Sequence, residues 1–211
     1  MLPHSGQRVA TRGRRLFEAK AAMILVHGRG AAPENILELA DALAHPDFTY
    51  LAPAAAGSTW YPCSFMADTQ ANEPGLSSGL SVLDALVGEV VEAGIQRDRI
   101  VLAGFSQGAC LMSEYAVRHA ARYGAILAFS GGLIGPPGTT WPSEGDFEGT
   151  PAFFGCSDVD SHVPRTRVDE SAEVLDRMGA KVEKRIYPGM GHLINDDEIA
   201  FARTLIGEVV R

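Results

Sequence analysis

The feature that most restricts the fold is an alternation of short apolar runs of β type with longer segments of helical period. The runs Met23–Val26, Thr49–Ala52, Ile100–Ala103, Ala125–Phe129, Ala152–Phe154 and Val182–Tyr187 are each closed by Gly, Pro or Ser. Between them apolar residues recur at helical spacing. The stripes are Leu37, Ala40 and Leu43; Leu83, Leu86, Val87 and Val90; Leu111, Tyr115 and Ala116; Val168, Ala172 and Leu175; and Ile199, Ala202, Leu205 and Val209. A strand followed by a helix, repeated, predicts an α/β fold with a mostly parallel sheet and helices on both faces. The stretches Pro53–Pro74 and Gly131–Thr150 lack regular period. Both follow strands, and ligands in open α/β sheets bind beyond the strands' carboxyl ends, so these loops are expected to wall a substrate site.

A chain of 211 residues is long enough for one sizeable core and short for two, so a single domain over residues 1–211 is expected. The net charge of -8 argues against nucleic acid as a partner, since that affinity rests on clustered Lys and Arg. The one basic cluster, Arg12, Arg14, Arg15 and Lys20, reads as a solvated strand or turn. Three cysteines, Cys63, Cys110 and Cys156, cannot pair completely, which predicts reduced thiols and a cytoplasmic location. The first apolar run, Ala21–Val26, is too short for a signal-peptide core or a membrane span, so neither export nor insertion is expected.

The pattern G-x-S-x-G occurs twice, at Gly104–Gly108 and at Gly75–Gly79. Its chemistry needs a strand that ends in a sharp turn and throws the serine oxygen up at the start of a helix. Ser106 has that context, between the run Arg99–Ala103 and the helical stretch Ala109–Arg122. Ser77 follows a polar segment and opens a helix, where capping is its expected role.

A serine hydroxyl needs a base to take its proton. Of the six histidines, His192 in Gly189-Met190-Gly191-His192 lies after the last strand, where a loop can swing an imidazole over the sheet edge. His4, His45 and His119 sit near a terminus or helix ends, and His27 is placed to brace a turn. A carboxylate must orient the imidazole, and two candidates, Asp158 and Asp160, share the loop after Ala152–Phe154; either gives the chain order Ser, Asp, His. The backbone N–H of Gln107 and that of Arg29, in His27-Gly28-Arg29-Gly30, are the candidate oxyanion donors.

Taken together these residues resemble the phospholipase/carboxylesterase family of small α/β hydrolases, which includes acyl-protein thioesterases. The resemblance spans nearly the whole chain. It rests on Leu25–Ala31, Trp60-Tyr61, Gly104–Ala109, Asp160–Pro164 and Gly189–His192 in family order. It implies an α/β-hydrolase fold without a cap domain, and a serine esterase acting on short- or medium-chain esters, lysophospholipids or acyl thioesters, with no metal or organic cofactor. In the family the acid stands three residues before a Val-Pro pair, which selects Asp160. The same loop departs from the thioesterase relatives, with Cys156-Ser157 where they usually have His-Gly. The resemblance further implies an open substrate site formed by Gly28, Trp60, Tyr61, Phe65, Met66, Leu133, Ile134 and Trp141, and it allows a homodimer. The competing class is a non-catalytic binding protein on a hydrolase fold, which would be expected to have lost a triad member.

Overall fold

Among the described residues seven strands hydrogen-bond into one sheet. The computed structural model describes residues 2–141 and 145–211. Its elements run β1 (Val9–Gly13), β2 (Ala21–Val26), α1 (Pro33–Ala42), β3 (Phe48–Pro53), α2 (Gly75–Glu92), β4 (Ile100–Phe105), α3 (Gln107–Arg118), β5 (Ala125–Phe129), β6 (Pro151–Ser157), α4 (Arg165–Arg177), β7 (Lys181–Tyr187) and α5 (Asp196–Val209). The order across the sheet is β1-β3-β2-β4-β5-β6-β7, and among these described strands only β1, against β3, runs antiparallel.

Strand β1 is the element the apolar pattern did not reveal. It is an edge strand with four of its five residues exposed, so it has no buried face to show in its sequence. Its basic neighbourhood is solvated and ion-paired: Arg8 with Glu34 and Arg12 with Asp41 on α1, and Lys20 with Asp47 at 3.2 Å.

The inner strands are buried on both sides, which is why they read as continuous apolar runs. Alternate residues of β2 serve different layers: Ala22, Ile24 and Val26 pack with α2, α3 and α4, whereas Ala21, Met23 and Leu25 pack with α1 and α5. Helix α1 leaves β2 on one face and α3 leaves the adjacent β4 on the other. The two chains therefore diverge at the carboxyl ends of β2 and β4, opening a crevice there. Every candidate catalytic residue follows a strand at this end of the sheet.

Helix α5 begins just after the loop that carries His192, and its start is tightly specified. Asn195 Oδ1 accepts from the Glu198 N–H at 2.9 Å, and Glu198 Oε2 accepts from the Asn195 N–H at 2.8 Å, a reciprocal capping box. Glu198 is fully buried, and its Oε1 has no partner among the described residues. It lies against Gly155, where an added Cβ would fall 2.0 Å from it and force the carboxyl to move. Burial raises the Glu198 carboxyl from the usual carboxylate range to about 7.

The folded protein thus holds a proton that the unfolded chain releases above its ordinary value of 4.5. This contribution to stability is fully present below that value and is lost as pH rises through about 7. Glu198→Gln keeps the capping box and removes the charge. In urea unfolding it should stabilise the protein at pH 8 by at most about 3 kcal/mol, from the size of the shift, and should differ little from wild type near pH 4.

Candidate active site

The turn between β4 and α3 carries Ser106 with φ 54° and ψ -123°, a left-handed conformation that L-residues with a Cβ rarely adopt. Its surroundings hold it there. The Ser106 N–H donates to Phe129 O at 3.0 Å, and the Ser106 carbonyl accepts from Cys110 N–H at 3.0 Å. A Cβ on Gly104 would lie 2.7 Å from the Ala109 nitrogen, and one on Gly108 would lie 2.1 Å from Val26 O. Both glycines are therefore steric requirements of a helix that folds straight back over the ends of β4 and β2.

Above this turn the loops after β6 and β7 bring a carboxylate and an imidazole into line. Ser106 Oγ lies 2.8 Å from His192 Nε2, and His192 Nδ1 lies 2.7 Å from Asp160 Oδ2. An ionised carboxylate only accepts, so Nδ1 carries the ring proton and Nε2 is left to accept from the serine hydroxyl. Burial alone would push the Asp160 carboxyl up. The hydrogen bonds from His192 and from the N–H groups of His162 and Val163, at 2.8 and 3.0 Å, outweigh it and hold the group below the usual carboxylate range. The imidazole is packed between the rings of Phe105 and His162, with centroids at 4.9 and 4.7 Å.

Asp158, the other carboxylate of this loop, points elsewhere. Its Oδ1 accepts from the Gly189 N–H at 2.8 Å, while Ser157 Oγ accepts from the Gly191 N–H at 3.0 Å. The two side chains brace the turn that presents His192. Cys156 adds a contact the sequence reading missed: its Sγ lies 3.7 Å from Asp160 Oδ2. Burial, then the neighbouring Asp160 charge, pushes this thiol up to about 12, so it stays protonated and donates to the carboxylate.

The backbone of Gly28 and Arg29 closes the other side of the crevice. Gly28 approaches so closely that a Cβ there would sit 3.3 Å from Ser106 Cβ. Gln107 is the first residue of α3, so its N–H has no intrahelical acceptor, and the Arg29 N–H has no acceptor among the described residues. Arg29 and Gln107 line the same cavity as Ser106. The side chains of the same two residues have a further role that only the fold reveals. The Arg29 guanidinium donates to the carbonyls of Tyr61, Pro62 and Cys63 at 2.7 to 2.9 Å, and Gln107 Nε2 donates to Tyr61 O at 2.8 Å while Oε1 accepts from Trp60 N–H at 3.0 Å. Together they pin the loop over the cavity mouth.

The cavity above Ser106 has a volume of about 510 Å³, and its walls include Gly28, Arg29, Tyr61, Phe65, Cys110, His162 and Val163. Trp60, Leu133 and Trp141, expected at the wall, are not among its lining residues, and neither are Met66 and Ile134. Trp60 is fully buried behind the site, its Nε1 donating to His27 O at 2.9 Å. Leu133 is a core residue, and Trp141 stacks on the Arg167 guanidinium at 5.1 Å and donates to Ile134 O. These side chains had polar or core partners nearer than the crevice. Ser77 is likewise not a cap: it lies inside the first turn of α2, exposed, and donates to Glu73 Oε1 at 2.7 Å.

The fold and this geometry define an esterase-type hydrolase of the α/β-hydrolase class. The sequence profile of the phospholipase/carboxylesterase family matches residues 14–210, and the chain belongs to that family. It is similar to a crystal structure of a phospholipase/carboxylesterase from Dyadobacter fermentans, with 40% identity, a TM-score of 0.92, and coverage of 100% of this chain and 99% of that one. It is also 28% identical to acyl-protein thioesterase 1 of Eremothecium gossypii, over 93% of this chain and 91% of the relative. A Bacillus cereus carboxylesterase, 17% identical with a TM-score of 0.75 over 97% of this chain and 95% of its own, shares the fold. Among the described residues no helix is long and apolar enough to cross a membrane.

The two loop carboxylates make separable predictions. Asp160→Asn should lower kcat on a small ester by about 10⁴-fold through loss of the imidazole's orienting partner. Asp158→Asn removes one brace from Gly189 and should cost less than about tenfold, the worth of roughly one neutral hydrogen bond. Steady-state kinetics of the two purified variants checks the pair.

Proposed function

We propose that the protein is a serine carboxylesterase that cleaves short- to medium-chain carboxylic esters through an acyl-enzyme intermediate, the whole chain acting as one catalytic domain. The observation that carries this reading is the line of short contacts from Ser106 Oγ through the His192 ring to Asp160 Oδ2. In the first step the hydroxyl proton passes to His192 Nε2 as Oγ bonds to the carbonyl carbon. Arg29 N–H and Gln107 N–H take the charge that develops on the carbonyl oxygen. The bond to the leaving group then breaks, and His192 returns its proton to the departing alcohol. Water, deprotonated by the same imidazole, attacks the acyl-enzyme and frees Ser106.

Tyr61, Phe65, Cys110 and Val163 give the cavity an apolar side that suits an acyl chain. A thioester reading is supported by the acyl-protein thioesterase relative. Rates on an ester and a thioester of the same acyl group separate the two.

Wild-type protein should hydrolyse p-nitrophenyl butyrate, and Ser106→Ala should lower that rate at least about 10⁴-fold. Ser77→Ala should retain it. Full activity in folded Ser106→Ala would overturn the assignment of the nucleophile.

A further inference from the structure

His192 does not close the crevice; it stands as a partition within it. Beyond the imidazole lies a second hollow of about 450 Å³, lined mainly by apolar atoms. Its apolar lining comes from Ala31, Ile36 and Leu39 in and just before α1, from Phe105 at the end of β4, and from Leu193 and Ile194 after β7. Gly28, Ala31, Phe105 and His192 line both spaces, so the groove continues the catalytic cavity across a saddle formed by these four residues. Leu193 is 46% exposed, an apolar side chain held in solvent at the groove's rim.

The chemistry of acyl transfer distinguishes the two spaces. A tetrahedral carbon on Ser106 has two arms besides Oγ and the oxyanion, and the arm that departs must leave beside the group that protonates it. That group is His192 Nε2. His192 lines both spaces, but the two residues that follow it, Leu193 and Ile194, line the groove alone, whereas the larger cavity runs toward Tyr61, Phe65 and Cys110. The charge at the groove also selects. Its charged wall residue is Glu38, exposed beside Asn35 on α1, and the chain as a whole carries -8.

We propose that this groove binds the alcohol portion of the substrate, and that the alcohol it fits is an uncharged primary alkyl chain. The proposal rests on the serine-esterase reading above. Esters with two apolar arms, one in each space, follow as the substrate class, and a leaving group that ends in an anion is disfavoured by Glu38.

The test uses the purified protein and two matched series: ethyl, butyl and hexyl acetate for the alcohol arm, and ethyl acetate, butyrate and hexanoate for the acyl arm. Across the alcohol series kcat/KM should rise roughly two- to fourfold per added methylene, as burial of a CH₂ group requires. Leu193→Asp, at an exposed site, should bring the hexyl-to-ethyl acetate ratio close to one and leave the ethyl hexanoate-to-acetate ratio as in wild type. Sodium 6-acetoxyhexanoate should react more slowly than hexyl acetate, and Glu38→Lys should narrow that gap. A flat alcohol series, or a Leu193→Asp variant that changes only the acyl ratio, would overturn the groove assignment while leaving the esterase intact. Wild-type protein that hydrolyses none of these esters, or equal rates in Ser106→Ala, would instead overturn the reading beneath it.

Discussion

The structure depends on one strained residue. Ser106 can occupy a left-handed backbone conformation only because β4 before it and α3 after it are buried and cannot relax the turn. That reversal places a hydroxyl at the N-terminus of α3, above the open end of the sheet. The glycines at 104 and 108 follow from it, since any Cβ at either position would meet backbone atoms of the crossing segments.

Around this turn, polar groups that would be costly to bury are spent on holding loops in place. His27 shows the economy. Its Nε2 accepts from Ala55 N–H at 3.1 Å, so Nδ1 carries the proton and donates to Gly28 O at 2.8 Å. Burial pushes this imidazole below the usual histidine range and keeps it neutral, as that pair of bonds demands. His4 repeats the arrangement, with Nδ1 accepting from Ala56 N–H and Nε2 donating to Trp60 O. Arg29 and Gln107 complete the set from the other side. The loop that lines the cavity is thus held by the side chains of Arg29 and Gln107 as well as by these two histidines.

The parts legible in the sequence were those with a local signature. Inner strands announce themselves because both faces are buried, and the serine turn does so because its glycines have no substitute. Strand β1 stayed hidden since an exposed edge strand such as Val9–Gly13 carries no burial pattern. Trp60 shows the limit on side chains: a large aromatic residue in a long loop fits a substrate wall or a core equally well, and what decided was the His27 carbonyl within reach of its indole nitrogen. Asp158 and Asp160 could not be separated by spacing alone, because either can follow β6 in chain order. Cys156 stands out in the sequence only as a departure from the thioesterase relatives, and its contact with Asp160 arises from how the loop curls.

All of this comes down to whether the imidazole of His192 activates the hydroxyl of Ser106. The most direct measurement is the site and rate of covalent labelling by a fluorophosphonate, read by peptide mass spectrometry on wild-type protein and on folded His192→Ala. One adduct is expected, on the peptide that contains Ser106, forming orders of magnitude more slowly when the imidazole is removed. An adduct on another serine, or equal rates in the two proteins, would contradict this activation of Ser106.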